Sequence, residues 1–204
     1  PAQAKDPTMK LFFSPASPYV RKVMVLAHEA GIADRIEKLP SAAGPLERDE
    51  TIAPHNPSGR VPTMILGDGT GLYDSRVICE YLAAQHEGAW MVPPAGPERM
   101  RTFTLNALAD GMLEACLLVR YETVMRPEAL RWQAWIDGQW DKVDRSLRSL
   151  EAEWLGHLRE RIDLGTIAAA CALGYLDFRF ADTPWRGDVP RLAEWFQGFA
   201  DRPS

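Results

Sequence analysis

Phe12-Phe13-Ser14-Pro15-Ala16-Ser17-Pro18-Tyr19-Val20-Arg21-Lys22 holds three different kinds of backbone signal within eleven positions. Lys10 to Phe13 is short, apolar and aromatic, the mark of a buried strand. Ser14 to Pro18 is a turn cluster. After it, Val20, Val23, Met24 and Ala27 recur at helical spacing as far as Gly31, a residue suited to closing a helix. Pro18 stands near the helix start, where its missing N–H costs little. A small hydroxyl residue between a buried strand and a helix N-terminus lies where backbone N–H groups and the helix dipole favour an anion, and a thiolate there is stabilised. The same serine also reads as a plain N-cap.

Outward from this turn, Arg35 to Leu39 reads as a second short strand, and residues 41–60 as a loop with at most a short helix. Val61 to Leu66 reads as a strand that begins with a proline. An X-Pro bond costs only about 0.5–1 kcal/mol to be cis, so a turn into a strand can adopt it. A cis bond there leaves the Val61 backbone unpaired and able to accept a short peptide by strand addition; a trans proline on a strand edge is the local alternative. Gly67-Asp68-Gly69-Thr70-Gly71 is a hairpin turn rather than a phosphate loop, since no Lys-Ser/Thr follows it. Tyr73-Asp74-Ser75 precedes Val77, Ile78, Tyr81 and Leu82 at helical spacing, with Ser75 as the expected N-cap. Free N–H groups at that helix start suit a ligand carboxylate, and Asp74 suits a ligand amine.

Gly88 to Pro97 reads as a linker, and no strand is expected beyond it. Leu108, Met112, Ala115 and Val119 form one helical stripe, ended by Pro127. Ile136, Trp140, Val143, Leu147, Leu150, Trp154 and Leu158 form a second. Further helices are expected from about Thr166 to Phe178 and from about Pro190 to Ala200. The organisation is an α/β domain at residues 9–87, a linker at 88–97 and an all-α domain at 98–204. Pro1 to Thr8 lack apolar periodicity and precede Met9, as an expression scar or a disordered extension does.

The composition narrows the function. The chain has 204 residues, 23 basic and 28 acidic, for a net charge of −5, with 46% hydrophobic and 25% charged residues. That is globular composition. No apolar run of ~18–20 residues suggests a membrane span, and no Lys/Arg block suggests nucleic acid. Cys79, Cys116 and Cys171 form no CxxC or zinc pattern, and a reducing cytoplasm fits them. Cys79 and Cys171 sit on apolar helix faces as core residues. His28, His55, His86 and His157 show no metal-ligand spacing, so no metal is expected. Most of the seven tryptophans fall in the helical half, where Trp140 and Trp154 stand at core spacing.

In this order and spacing, the motifs resemble those of the glutathione transferase superfamily. Ser17-Pro18-Tyr19-Val20-Arg21-Lys22 is similar to the SPF/SPY turn of its serine-type bacterial members. Asn56-Pro57-Ser58-Gly59-Arg60-Val61-Pro62-Thr63 is similar to the NPxxxVP segment with its cis-proline, and Asp74-Ser75 to the acidic-Ser pair. Ala172-Leu173-Gly174-Tyr175-Leu176-Asp177 resembles the core of the C-terminal domain. The resemblance covers roughly residues 9–202. It implies a thioredoxin-like N-terminal domain that holds glutathione, followed by an all-α C-terminal domain.

By that resemblance Ser17 donates a hydrogen bond to the glutathione thiolate, with Ser14 as runner-up. Ser75 and the helix start hold the γ-glutamyl carboxylate, with Asp74 at its ammonium. Val61 beside Pro62 pairs with the cysteinyl backbone. Arg60, or less well His55, meets the glycyl carboxylate. Tyr19, Met112, Cys116 and Arg120, by helix facing, are the guesses for a second site that takes a small, mostly apolar electrophile. Asp110 is offered as reaching a partner subunit's ligand amine, against its reading as a solvated helix aspartate. A cytoplasmic homodimer acting in detoxification is implied, with glutathione as co-substrate. The alternatives are glutathione-dependent peroxide reduction and a non-catalytic ligand-binding module. One departure stands out. The family's Ser/Thr-x-x-Asp cap of the buried core helix appears here as Asp163-Leu164-Gly165-Thr166, a cap of reversed composition.

Overall fold

The computed structural model describes residues 9–41, 43–85 and 89–204. Residues 1–8, His86 and Gly88, on which parts of the sequence reading fall, lie outside them. The chain divides into two compact units, one through Val92 and one from Pro93 to Pro203.

The first unit is built on a four-stranded mixed sheet, in the order β2-β1-β3-β4. β1 (Met9–Phe13) is parallel to β2 (Ile36–Pro40) and antiparallel to β3 (Thr63–Ile65), which is antiparallel to β4 (Gly71–Leu72). β1 is central, with Leu11 and Phe12 buried. Helix α1 (Pro18–Glu29) follows β1. It ends as the sequence suggests: Gly31 takes φ 68°, its N–H donates to the His28 carbonyl at 3.0 Å, and the Ile32 N–H donates to the Ala27 carbonyl at 2.9 Å. This is the paired-bond closure that a glycine permits. Helix α2 (Ser75–Ala84) follows β4 and packs on α1 through Ile78, Cys79 and Leu82. Val77, expected on the buried stripe, faces solvent instead.

The strand register decides where the chemistry gathers. Thr63 lies opposite Phe12, and Leu72 lies opposite Met64. β3 therefore begins, and β4 ends, at the edge of the sheet where β1 ends. The Ser14–Ser17 turn, the Val61–Pro62 step and the Tyr73–Asp74 step all lie at that edge. The N-termini of α1 and α2 point there as well.

The second unit is helical. It comprises α3 (Gly96–Arg120), α4 (Gln133–Ser149), α5 (Leu155–Glu160), α6 (Leu164–Arg179) and α7 (Pro190–Ala200). α3 starts inside the stretch read as a linker. The second apolar stripe is not one helix, because a π-helical turn at Leu150–Trp154 separates α4 from α5. The tryptophans correct a sequence expectation: only Trp185 is buried, Trp140 and Trp154 are half-buried, and Trp132 and Trp135 are exposed. An indole is amphipathic, so its ring need not be buried whole. Gly96–Met125 has the length and hydropathy to cross a membrane, although no unbroken apolar run of that length marks it in the sequence. Its apolar residues Leu105, Met112 and Leu113 are fully buried, and it packs on α6 and α4 as a core helix.

α6 is buried on nearly every face from Leu164 to Leu176. Its first turn meets α3 at Gly165, where a Cβ would lie 2.8 Å from the Thr102 carbonyl oxygen and 2.9 Å from the Leu105 Cβ. Backbone cannot swing aside as a side chain can, so Gly165→Ala forces the two helices apart. The expected cost is about 1–3 kcal/mol, or a thermal midpoint lowered by roughly 2–12 °C in a chain of this size. Thermal denaturation checks it, and an unchanged midpoint would mean that α6 shifts freely on α3.

Candidate functional site

The residues at the common sheet edge lie at two helix N-termini. Ser17 is the N-cap of α1, with extended backbone, and its hydroxyl oxygen accepts the Val20 N–H at 3.3 Å. A hydroxyl that accepts through its oxygen keeps its proton for donation. The cap and the donor are therefore one group in two roles. Ser14 lies one turn earlier, and its carbonyl accepts the Ser17 N–H at 3.1 Å.

The Val61–Pro62 bond is cis, as is the Tyr73–Asp74 bond. Among the described residues no backbone partner takes the Val61 N–H or carbonyl. The loop before it is fixed by Asn56, which is 1% exposed. Its amide donates to Thr63 Oγ1 at 2.8 Å and to the Arg60 carbonyl at 3.3 Å, and its Oδ1 accepts the Ser58 N–H at 3.0 Å. Thr63 Oγ1 donates in turn to the Arg60 carbonyl at 2.7 Å. Asn56 and Thr63 thus set the chain path on both sides of Val61. The sequence reading quoted Asn56 as part of a motif but gave it no task. A buried polar side chain inside a loop is the signal, and burial is visible only in the fold. The Arg60 side chain is exposed.

At α2 the structure moves one expectation by a residue. Asp74, not Ser75, is the N-cap, and its Oδ1 accepts the Arg76 N–H at 3.0 Å. Ser75 is the first helical residue and is buried. As an N-cap the Asp74 carboxylate also gains from the helix dipole. Asp74 also pairs with Arg76 at 2.9 Å. Burial works to raise the Asp74 pKa. The Arg76 side-chain and backbone hydrogen bonds, with the charges of Arg76 and Lys22, outweigh it and hold the carboxyl below its ordinary range.

Lys22 is a second residue the sequence reading did not single out. It lies on the buried face of α1 at 0% exposure, with Nζ 5.7 Å from the centroid of the half-buried Tyr19 ring. A buried ammonium adds positive charge near both helix N-termini.

The remaining sequence candidates are divided between the two units. Met112 and Cys116 have no solvent exposure and lie in the core of the helical unit. Burial pushes the Cys116 thiol up to about 12, so it stays protonated and inert. Arg120 is half-buried in the last turn of α3. Asp110 is not a solvated aspartate: it is 8% exposed and accepts from Asn106 at 3.0 Å within α3. The His55 ring lies 6.1 Å from that of Phe12. Cys79 and Cys171 are buried and stand outside any disulfide.

Among the described residues no group of three His, Cys, Asp or Glu side chains could hold a metal ion. The cavities among the described residues include two in the helical unit. One of about 460 Å³ is lined by Leu108, Lys142 and Arg145, and one of about 330 Å³ by Arg101, His157 and Arg161. Neither includes a residue of the sheet edge.

The reversed cap of α6 is fully resolved. Asp163, 1% exposed, accepts the Thr166 N–H at 3.0 Å and the Thr102 hydroxyl at 2.7 Å, and lies 2.8 Å from His157 Nε2. The Arg101 Nε donates to His157 Nδ1 at 3.3 Å, which leaves Nε2 as the donor to Asp163. Among the described residues the Thr166 hydroxyl has no hydrogen-bond partner. Asp163 therefore caps the helix alone and ties it to α3 and α5.

Comparison with known proteins agrees across nearly the whole length. A family model of the glutathione S-transferase N-terminal domain matches residues 16–85, and one of the C-terminal domain matches residues 133–198. The chain is 36% identical over 199 residues to the uncharacterized GST-like protein YibF of Escherichia coli K12, covering 96% of each. A glutathione transferase family member from Pseudomonas fluorescens Pf-5, solved with bound glutathione, is 48% identical. It superposes with a TM-score of 0.94 over 96% of this chain and 95% of that one. A glutathione S-transferase from Methylobacillus flagellatus KT, solved with GSH bound, is 36% identical with a TM-score of 0.84, covering 96% of each.

Proposed function

The chain belongs to the glutathione S-transferase family, and on that premise we propose that it is a serine-type transferase that conjugates glutathione to small electrophiles. The observation that carries the reading is the arrangement of Ser17, Val61 and Ser75 at one sheet edge, beneath two helix N-termini. The glutathione bound to the Pseudomonas fluorescens relative supports the choice of co-substrate.

Each part of the tripeptide has a place with a physical reason. The Val61 N–H and carbonyl offer strand pairing to the cysteinyl backbone. The α2 N-terminus and the Ser75 hydroxyl receive the γ-glutamyl carboxylate, and Asp74, ionised at neutral pH, receives its ammonium. Arg60 meets the glycyl carboxylate. The sulfur lies at Ser17. There the hydroxyl proton and the α1 dipole stabilise thiolate over thiol, with Lys22 adding charge.

The thiol loses its proton to solvent. The thiolate lone pair then forms a C–S bond with an electrophilic carbon, and the leaving group departs with its bonding electrons. Ser17 donates a hydrogen bond and is not the nucleophile. The glutathione-binding domain spans 9–87 and the helical domain 98–204. We place the enzyme in the cytoplasm, as a homodimer acting in detoxification.

Retention on immobilised glutathione, followed by an assay with a generic aryl halide, tests the reading. Retention with turnover is expected. Failure to bind glutathione would sink the assignment, and retention without turnover of any electrophile would reduce it to a binding module.

A further inference from the structure

The cavity of about 330 Å³ lined by the start of α3 and by α5 holds two positive and two negative side chains, Arg101 and Arg161 against Glu98 and Glu160. One pair is closed. Arg161 donates to both Glu98 carboxylate oxygens, at 2.8 and 2.9 Å, and these bonds hold the Glu98 carboxyl below its ordinary range. The other two charges stay apart. Among the described residues Arg101 joins no ion pair, and the Glu160 carboxylate joins no ion pair and accepts no hydrogen bond.

Arg101 is nevertheless held in place. Its Nε donates to His157 Nδ1 at 3.3 Å, and its guanidinium carbon lies 4.7 Å from the Trp154 ring centroid. His157 is fixed in turn, 7% exposed and 2.8 Å from Asp163. An exposed arginine ordinarily keeps many rotamers. Here the plane of the fork is set, while its two terminal nitrogens bond no protein group among the described residues. On α5, Gly156 precedes Glu160 by four positions and shares its face. A Cβ at Gly156 would meet nothing within 4 Å, so the cavity is open along that face.

We propose that this cavity binds a small zwitterion of the α-amino-acid class, its carboxylate on the Arg101 fork and its ammonium on Glu160. A guanidinium offers two parallel N–H donors to a carboxylate, and a carboxylate accepts from an ammonium. A ligand with a single charge satisfies one group and meets a like charge at the other: an anion faces Glu160, and a cation faces Arg101. A ligand with both charges completes the second pair, as Glu98 and Arg161 complete the first. The volume is at the lower end of small-molecule sites, roughly 300–1,000 Å³, and leaves room for a side chain beyond the charged head. A purely structural Arg101, tying α3 to α5 through His157, would use Nε and the ring stack. That role engages neither the terminal nitrogens nor Glu160.

The site lies in the helical unit and does not rest on the glutathione reading. NMR titration of the isotope-labelled full chain with L-norleucine tests it, beside hexanoate, which lacks the ammonium, and pentylamine, which lacks the carboxylate. Amide shifts at residues 98–101 and 156–161 are expected, with norleucine at least about fivefold tighter than either counterpart. Glu160→Gln is expected to bring norleucine to within about twofold of hexanoate, and Arg101→Gln to within about twofold of pentylamine. Glu160 is exposed, so its variant decides the matter if Arg101→Gln disturbs the contact between His157 and Asp163. No binding by the wild type, equal binding of the three probes, or an undiminished preference for norleucine in Glu160→Gln would overturn the site. Shifts confined to Ser17, Val61 and Ser75 would overturn it too, because the head group then recognised is that of the tripeptide.

Discussion

Alanine at position 17 is expected to leave glutathione bound while raising the pKa of its thiol by about one unit, roughly 1.4 kcal/mol of lost differential stabilisation, because the α1 dipole and Lys22 remain. The bound thiol then titrates near ~7.5 instead of ~6.5. At pH 6.5 about half the sulfur is thiolate in the wild type and about 9% in the variant, so the conjugation rate falls roughly fivefold. The gap narrows as pH rises and nearly closes above about pH 9, because both proteins then hold thiolate. A structural role alone would not move the pH profile in this way. The variant also loses the acceptor for the Val20 N–H. That cap is worth about 1 kcal/mol, a fall of a few degrees in thermal midpoint. An unchanged rate–pH curve would remove Ser17 from the mechanism and turn attention to Ser14.

The second large effect concerns stability. Asp163→Ala is expected to destabilise the helical unit by about 3–4 kcal/mol, because it strips a buried Thr102 hydroxyl, a buried His157 N–H and the Thr166 N–H of their shared acceptor. The thermal midpoint should fall by roughly 10 °C. The contribution depends on pH with a definite sign. Burial works to raise the Asp163 pKa, but the hydrogen bonds from His157, Thr102 and the Thr166 N–H hold it below its ordinary range. A carboxyl depressed in the folded state contributes fully above its unfolded pKa of about 3.9 and loses that contribution as pH falls through the folded value. The difference in midpoint between wild type and variant should therefore be largest near pH 6 and shrink below pH 4. A difference constant down to pH 3 would contradict the ionised cap.

Much of this architecture can be read from local pattern. The apolar run before Ser14, the Val20–Ala27 stripe and Gly31 define β1 and α1, because burial period and closure both lie within the segment. Pro190 and the spacing after it place α7 at Pro190–Ala200. What could not be read rests on longer-range or finer geometry. A five-residue π-turn at Leu150–Trp154 is invisible in a stripe that steps by three or four. The choice between Asp74 and Ser75 as cap turns on one bond to the Arg76 N–H. The Asp163 cluster joins residues 61 positions apart, so neither Thr102 nor His157 carries a local mark. Asn56 and Lys22 look solvent-bound in sequence, and only the fold buries them.

The gathering of three distant chain segments at one sheet edge has a further consequence. Residues near 17, 61 and 75 become neighbours only when β1, β3 and β4 are in register. No partly folded fragment presents all three, so a ligand that touches them all binds the native unit and not the unfolded chain. Such a ligand is a folding partner as much as a reactant. At a concentration a hundredfold above its Kd it adds about 2.7 kcal/mol to native stability. Thermal denaturation with and without glutathione reads that gain directly, and an unchanged midpoint would mean that the edge holds no such ligand.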